Sequence, residues 1–153
     1  MGSGKSTVAF AVAALLGRQA VDLDRVIESE AGESIAGIFA AEGEAGFRKR
    51  EASALREQLE GPVVIALGGG ALLDEGSWQL LKESATSIWL DAPLQALWRR
   101  AGEDPTRPLS LDRAEFERRF RGRRKRYSEC DHRVDADRPV LEVAEEIAAL
   151  CGG

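Results

Sequence analysis

The chain begins with the second half of a phosphate-binding loop, Met1-Gly2-Ser3-Gly4-Lys5-Ser6-Thr7. In such a loop, backbone N–H groups point at phosphate oxygens, the lysine reaches the outer phosphates, and the following hydroxyl holds magnesium. Apolar residues at helical spacing then predict a helix over about 6–16, which Gly17 ends. That helix would aim its N-terminus at the same anion. The alternative is a chance match in a terminus rich in glycine and serine.

The complete loop pattern has another glycine five residues before Gly4, and that position would precede Met1. A β-strand normally carries the loop. We therefore expect that the first strand of the fold is missing from the chain as given.

Length and composition indicate one globular domain over residues 1–153, with 44% hydrophobic and 31% charged residues. No apolar run approaches the roughly 18 residues of a membrane span, and no leader pattern precedes the loop. We therefore expect a cytoplasmic protein. Cys130 and Cys151 are too few and too far apart for a disulfide scaffold or a zinc site, which predicts reduced thiols. The net charge of -5 gives no drive toward nucleic acid or anionic membranes.

Predicted strands alternate with predicted helices along the chain. The strands are 19–23, 63–67, 86–90 and 132–135, and the later helices are 25–59 (broken near Gly32 and Gly43), 78–83, 93–101, 114–127 and 139–150. This order predicts a parallel α/β sheet with right-handed crossovers. The continuous apolar run over 63–67 predicts a strand buried on both faces. Residues 102–113 have the proline, glycine and charge content of a mobile loop.

Two carboxylates follow the first predicted strand. Asp22 and Asp24 are two residues apart, so on a strand their side chains would leave one face while Leu23 turns to the core. The carboxyl edge of a parallel sheet is where α/β proteins bind ligands. One carboxylate could order water around magnesium while the other accepts a hydroxyl proton. The alternative is that either residue only caps the next helix.

Further candidate residues lie in three other segments. Arg48 and Glu51 share a helical face, although a surface ion pair would explain them equally well. The glycines of 68–70 after a buried strand indicate that something approaches the backbone closely. Arg107 could be a lid cation or one more exposed arginine. Residues 118–126 carry seven basic side chains, which could form a solvated helix face or converge on an anionic substrate or nucleotide.

Taken together, the motifs resemble those of the shikimate kinase family in order and approximate spacing. They are MGSGKST, DLD, SIAGIFAAEGEAGFRKRE, the GGG after VVIAL, WLDAP, TRPL, and an arginine four residues before Tyr127 followed by HRVD. The resemblance runs from Met1 to about residue 150. It implies a P-loop NTPase-like three-layer sandwich whose first, central strand is missing here, with a lid at about 102–113. It also implies transfer of the γ-phosphate of ATP to the 3-hydroxyl of shikimate.

The resemblance further implies roles for individual residues. Lys5 would contact the β and γ phosphates within a nucleotide site that includes Gly2, Ser3, Gly4 and Thr7. Ser6 would coordinate Mg²⁺ and Asp22 would hold it through water, while Asp24 would bind the accepting hydroxyl and act as base. The substrate carboxylate would be held by Arg48 and Arg123, with the pocket completed by Glu51, Gly69 and Gly70. Arg107 would close over the phosphates, and Arg100 and Arg138 would lie near the adenine.

Three departures from the family pattern bear on these expectations. The missing strand would leave a trough in the core and two unpaired edges, and a start codon assigned too late would explain it. Ser110 stands where the lid commonly has leucine, and Gly122 would interrupt the helix that carries Arg123. We expect a monomer that uses ATP and shikimate and binds neither nucleic acid nor membrane. The alternatives are a related kinase, such as one for gluconate, and a catalytically silent nucleotide-binding domain.

Overall fold

The computed structural model of the protein describes residues 4–103 and 112–152. The predictions for Gly2, Ser3, Arg107 and Ser110 lie outside the described residues, as does most of the lid. They stay predictions.

Four short strands alternate with helices in the described residues. The strands are β1 (Gln19–Asp22), β2 (Val63–Ala66), β3 (Ile88–Asp91) and β4 (His132–Asp135). The helices are α1 (Lys5–Leu16), α2 (Leu23–Ala31), α3 (Ile35–Gln58), α4 (Glu75–Ser84), α5 (Leu94–Glu103), α6 (Arg113–Tyr127) and α7 (Val140–Gly152), with a 3-10 turn at Ala71–Leu73. The predicted alternation is confirmed, and most bounds agree within two residues. The fourth helix begins earlier than predicted because Asp74 caps it by accepting a hydrogen bond from the Ser77 amide at 2.8 Å.

The strands form two parallel pairs. β1 pairs with β2, with Gln19 opposite Val63, and β3 pairs with β4, with Ile88 opposite His132. Within residues 4–103 and 112–152, no strand joins the two pairs. β2 and β3 instead border an apolar cleft of about 730 Å³, which α1 and α7 also line. The cleft therefore lies in the middle of the sheet, where the family resemblance places its first strand.

The cleft changes the burial of β2. The apolar run was predicted to be buried on both faces, yet Val63, Val64 and Ile65 are only half-buried. The prediction was wrong because full burial of a strand also needs a neighbour along each edge, and one edge of β2 faces the cleft. The burial of β2 depends on a neighbouring strand in the folded protein, and the apolar run over 63–67 does not specify whether that strand is present.

Two apolar clusters hold the helices against the strands. One joins α1 and α7 through a buried set of aliphatic side chains: Val8, Val12, Val134, Val143, Ala144 and Ile147. The other lies under α2, α3 and α4 and includes Leu23, Ile27, Leu55 and Trp78. The first cluster supports the helix behind the phosphate-binding loop, and the second supports the helices that carry Asp24 and Arg48.

Glycines mark the helix ends and the kink that were predicted. Gly32 ends α2 with φ 70°, and Gly43 kinks α3 with φ 71° and ψ -177°. These values lie in regions that residues with a Cβ rarely adopt. Gly122, by contrast, does not interrupt α6, which runs unbroken to Tyr127. That prediction was wrong because one exposed glycine lowers helix stability by only about 1 kcal/mol, which the rest of the helix offsets.

None of the described helices is both long enough and apolar enough to cross a bilayer. Cys130 and Cys151 are free thiols, as predicted.

Candidate active site

The N-terminus of α1 forms the phosphate end of the site. Gly4 precedes the helix in the left-handed region, with φ 74°, and the first helical hydrogen bond runs from the Val8 amide to the Gly4 carbonyl at 3.0 Å. The amides of the first turn have no carbonyl one turn earlier within the helix. Lys5, Ser6 and Thr7 therefore begin a helix whose N-terminus is suited to binding an anion.

Ser6 and Asp22 meet beside this helix terminus. The Ser6 hydroxyl donates to Asp22 Oδ2 at 2.5 Å, and Asp22 is 6% exposed. Asp22 Oδ1 also accepts a hydrogen bond from the Arg25 amide at 3.3 Å, so the residue caps α2 as well. The helix-cap interpretation and the magnesium interpretation of Asp22 are thus compatible.

The pair of oxygen ligands fits Mg²⁺. This ion keeps several waters and is usually bound through one or two carboxylates together with substrate phosphates. Across the described part of the chain, no group of three acidic, histidine or cysteine side chains forms a protein-only metal cage. A hydroxyl and one carboxylate beside a phosphate site supply what a magnesium ion delivered with a nucleotide needs.

Asp24 occupies a different setting from the one predicted. β1 ends at Asp22 and α2 begins at Leu23, so Asp24 lies in the first helical turn and not on a strand face. The prediction of a shared strand face was wrong because Asp22 caps the helix and starts it immediately. Leu23 is fully buried, as predicted. The Asp24 carboxylate lies at Gly68, where an added Cβ would be 2.9 Å from Asp24 Oδ1.

Arg48 and Glu51 form an ion pair whose carboxylate is buried and whose guanidinium group is partly buried, so the surface-pair alternative is wrong. Arg48 Nη1 donates to Glu51 Oε1 at 2.7 Å, and the Glu51 side chain is 1% exposed. Burial raises the pKa of Glu51, against the lowering by Arg48, and the nearby Asp24 adds to the rise. Among the described residues, the second oxygen of Glu51 has no hydrogen-bond partner. Such a buried acceptor is suited to a ligand hydroxyl.

The two arginines converge on adjacent glycines. A Cβ added at Gly69 would lie 2.5 Å from Arg123 Nη1, and one added at Gly70 would overlap Arg48 Nη2. The glycines therefore leave the space that both guanidinium groups occupy. Arg48 comes from α3 and Arg123 from α6, so the fold brings together two cations from distant parts of the sequence.

Arg123 differs from most of the basic side chains of α6. Four of its neighbours pair with carboxylates: Arg119 with Glu115, Arg121 with Glu117, Arg124 with Asp91, and Arg126 with Glu75. Arg123 has no ion pair within the described residues. Its pKa is lowered, first by burial and also by Arg119 and Arg48, while Tyr127 opposes the effect. Arg118 and Lys125 have no ion pair among the described residues either, but both are exposed, whereas Arg123 is partly buried. The basic run is therefore mainly a solvent-facing helix face, and Arg123 is its cation placed for an anion in the pocket.

Arg100 and Arg138 lie together at the loop after β4. Arg100 donates to the Asp137 carboxylate at 2.9 Å, and Arg138 donates to the Asp135 carbonyl at 3.1 Å and pairs with Glu146. The structure thus brings the two predicted adenine residues to one loop. Their role toward a nucleotide stays a prediction.

Sequence reasoning assigned no role to two aromatic residues of the site. Phe47 is buried, and the Arg48 guanidinium lies 5.2 Å from the centre of its ring. The Tyr127 hydroxyl donates to the Gly69 carbonyl at 2.5 Å. Each aromatic residue has a sequence signal, because Phe47 adjoins Arg48 and Tyr127 follows Arg123 by one helical turn.

Comparisons with known proteins agree with this geometry. The family model for shikimate kinase matches residues 1–151. The chain is 43% identical to a shikimate kinase of Salinibacter ruber over 98% of its own length and 80% of that protein. It is 42% identical to a shikimate kinase of Ruegeria pomeroyi over 97% of its length and 80% of that protein.

A solved structure is similar throughout. Shikimate kinase from Acinetobacter baumannii in complex with shikimate superposes with a TM-score of 0.91 at 32% identity, over 98% of this chain and 87% of that one. The P-loop NTPase-like fold is therefore confirmed. With a family match over nearly its whole length and this structural similarity, the chain belongs to the shikimate kinase family.

Proposed function

We propose that the protein transfers the γ-phosphate of ATP to the 3-hydroxyl of shikimate, giving 3-phosphoshikimate and ADP. The observation that carries the proposal is the convergence of Arg48 and Arg123 on Gly69 and Gly70, with Asp24 beside the same glycine loop at Gly68. A pocket with two guanidinium groups favours an acid over a neutral sugar.

Arg48 and Arg123 hold the substrate carboxylate in this proposal. Planar guanidinium groups match the geometry of a carboxylate, and a hydrogen bond to a charged group contributes about 1.5 to 3 kcal/mol. Glu51 supports Arg48 through its first oxygen and leaves the second for a ring hydroxyl of the substrate. The backbone of Gly69 and Gly70 completes the pocket in this proposal.

Asp24 binds the accepting hydroxyl and serves as the base. The hydroxyl oxygen forms a bond to the γ-phosphorus as the bond from that phosphorus to the β,γ-bridging oxygen breaks. The hydroxyl proton passes to the Asp24 carboxylate, and the electron pair of the broken bond leaves with ADP. Lys5 and Arg107 stabilise the charge on the phosphoryl oxygens, the main task of a protein in phosphoryl transfer.

Ser6 and Asp22 are the residues that would hold Mg²⁺, Ser6 through its hydroxyl and Asp22 through water, as the family resemblance implies. The ion supplies neutralisation of charge on the β and γ phosphates. The remaining nucleotide contacts in the proposal are Gly2, Ser3, Gly4 and Thr7 around the phosphates and Arg100 and Arg138 near the adenine. A monomeric state and a cytoplasmic location belong to the same proposal.

A coupled assay of ADP release tests the function. We expect turnover that requires shikimate and is not supported by gluconate, both with this chain and with one extended by an apolar strand and the rest of the loop. An extended, folded protein that turns over gluconate but not shikimate would contradict the assigned substrate. Calorimetric binding of ATP with magnesium, without turnover of either acid, would instead indicate a silent nucleotide-binding domain.

A further inference from the structure

Tyr127 links the helix that carries Arg123 to the glycine loop. Its hydroxyl donates to the Gly69 carbonyl at 2.5 Å, across a wide separation in sequence. Arg123 lies one turn earlier on the same helix, and its guanidinium group lies at the same glycine. One residue of the loop therefore contacts both side chains.

The hydrogen bond also sets the orientation of the next peptide group. Every described peptide bond is trans, so the Gly69 carbonyl and the Gly70 amide point in opposite directions. With its carbonyl directed at Tyr127, this peptide turns the Gly70 N–H away from α6. No hydrogen bond engages this N–H among the described residues. An N–H fixed beside two arginines is placed to donate to an anion.

The Tyr127 ring is itself held in place. It packs on Trp89 with ring centres 6.2 Å apart, and Trp89 is buried. The guanidinium groups of Arg124 and Arg133 lie 5.0 Å from the centre of the Trp89 ring, and both arginines pair with Asp91 at the end of β3. The tyrosine hydroxyl therefore extends from a rigid support and not from a mobile surface side chain.

We propose that Tyr127 is a positioning residue for recognition of the substrate carboxylate: it fixes the Gly69–Gly70 peptide and the adjoining Arg123 in one arrangement. Tyr127 does not touch the substrate. The inference rests on the proposed function, because it assigns the pocket at Gly69 and Gly70 to the carboxylate of shikimate.

The test compares Tyr127→Phe with the unchanged protein by steady-state kinetics. Losing one hydrogen bond should raise the KM for shikimate about three- to tenfold and leave the KM for ATP unchanged. Val143→Ala is the control, because Val143 is buried in the cluster under α7, away from the pocket. It should lower the thermal midpoint without changing the KM for shikimate. Equal changes in KM for the two variants would overturn the inference.

Arg123→Ala, measured in parallel, separates this inference from the proposed function. If Arg123→Ala leaves the KM for shikimate unchanged, the proposed pocket is wrong. If Arg123→Ala raises that KM while folded Tyr127→Phe does not, the pocket stands and the positioning role is wrong.

A second measurement applies if Tyr127→Phe fails to fold. Tyr127 is the only tyrosine of the chain, so absorbance of its phenolate reports on this site alone. Burial raises its pKa, and the charge of Arg123 opposes the rise. A bound carboxylate would offset that charge, so saturating shikimate should raise the pKa of Tyr127 further. A titration curve unchanged by shikimate would overturn the inference.

Discussion

At the scale of single residues, the pocket combines a buried carboxylate, Glu51, and a partly buried guanidinium group, Arg123, that do not pair with each other. Glu51 pairs with Arg48, and its second oxygen is left without a partner among the described residues. Arg123 is partly buried without a carboxylate partner there. Desolvation makes both arrangements costly for folding. A ligand with hydroxyl groups and a carboxylate would pair with both the second Glu51 oxygen and Arg123. Ligand binding therefore explains why the fold keeps two groups that lower its stability.

Asp24→Asn tests the assignment of the base. We expect turnover to fall by about 10² to 10⁴, the usual contribution of a positioned base, because the amide cannot accept the hydroxyl proton. Affinity for ATP should be largely kept, since Asp24 lies at Gly68 and not at the start of α1. Steady-state kinetics and ATP calorimetry measure the two effects, and an equal loss of both would count against the role as base.

The raised pKa of Glu51 predicts a pH dependence of stability. A folded-state pKa above the ordinary value of about 4.5 means that the folded protein binds this proton more tightly than the unfolded chain. The resulting stability is fully present below the ordinary pKa and is lost as pH rises through the folded-state value. Glutamine does not titrate, so Glu51→Gln should not lose this stability. Its free energy of unfolding should therefore rise relative to that of the unchanged protein as pH increases from acidic to neutral. Urea unfolding at acidic and at neutral pH measures the free energy of unfolding of Glu51→Gln minus that of the unchanged protein. This explanation is refuted if that difference becomes less positive toward neutral pH.

At the scale of elements, glycines have different effects in two helices. Gly43 has a backbone conformation that other residues rarely adopt, and it divides α3 into two limbs. Arg50 and Glu42 pair at 2.6 Å across this kink. Gly122 lies in regular helix, and an added Cβ there would meet no atom within 4 Å. The kink in α3 thus depends on the glycine at position 43, whereas Gly122 leaves the helical conformation of α6 unchanged.

Alanine substitutions at these two glycines should act in opposite directions. Gly122→Ala is expected to raise the free energy of unfolding by about 0.5 to 1 kcal/mol, because alanine loses less conformational freedom in a helix. Gly43→Ala is expected to lower it by about 1 to 3 kcal/mol, the usual cost of a strained conformation. Denaturant unfolding of both variants provides the comparison. A destabilised Gly122→Ala would show that α6 needs flexibility at this turn.

Local patterns predicted most elements because each is bounded by residues with a specific physical effect. Gly17, Gly32 and Gly43 adopt positive φ where helices were predicted to end or bend. The placement of Asp24 failed because a cap by Asp22 competes with continuation of the strand. The meeting of Arg48 and Arg123 depends on tertiary packing of α3 and α6, which no local spacing encodes, and only the family resemblance predicted it.

At the scale of the whole molecule, the cleft between β2 and β3 is the main departure from a continuous core. It is lined largely by apolar side chains of the strands and of α1 and α7. Each bordering strand has one edge that no described strand pairs. Open edges and exposed apolar surface both favour association with another extended segment. Helix α1, which begins with Lys5, borders this cleft. The phosphate end of the site is therefore next to the part of the core where apolar packing is least complete.

Filling the cleft should stabilise the protein. A chain extended at its N-terminus by an apolar strand and the rest of the phosphate-binding loop is expected to have a higher thermal midpoint. For a chain of this size, each kcal/mol gained raises the midpoint by about 2 to 4 °C. The control carries proline within the added strand, which removes a donor from the ladder. Equal midpoints for the apolar and proline-containing extensions would show that the added segment does not pair with β2 and β3.

The most direct measurement of the central claim is calorimetric titration of shikimate into the unchanged protein and into the Arg48→Ala, Arg123→Ala double variant. Two charged contacts of about 1.5 to 3 kcal/mol each predict that the double variant binds shikimate at least about 100-fold more weakly, with ATP affinity retained. Unchanged shikimate affinity, or a loss confined to ATP, would contradict the account.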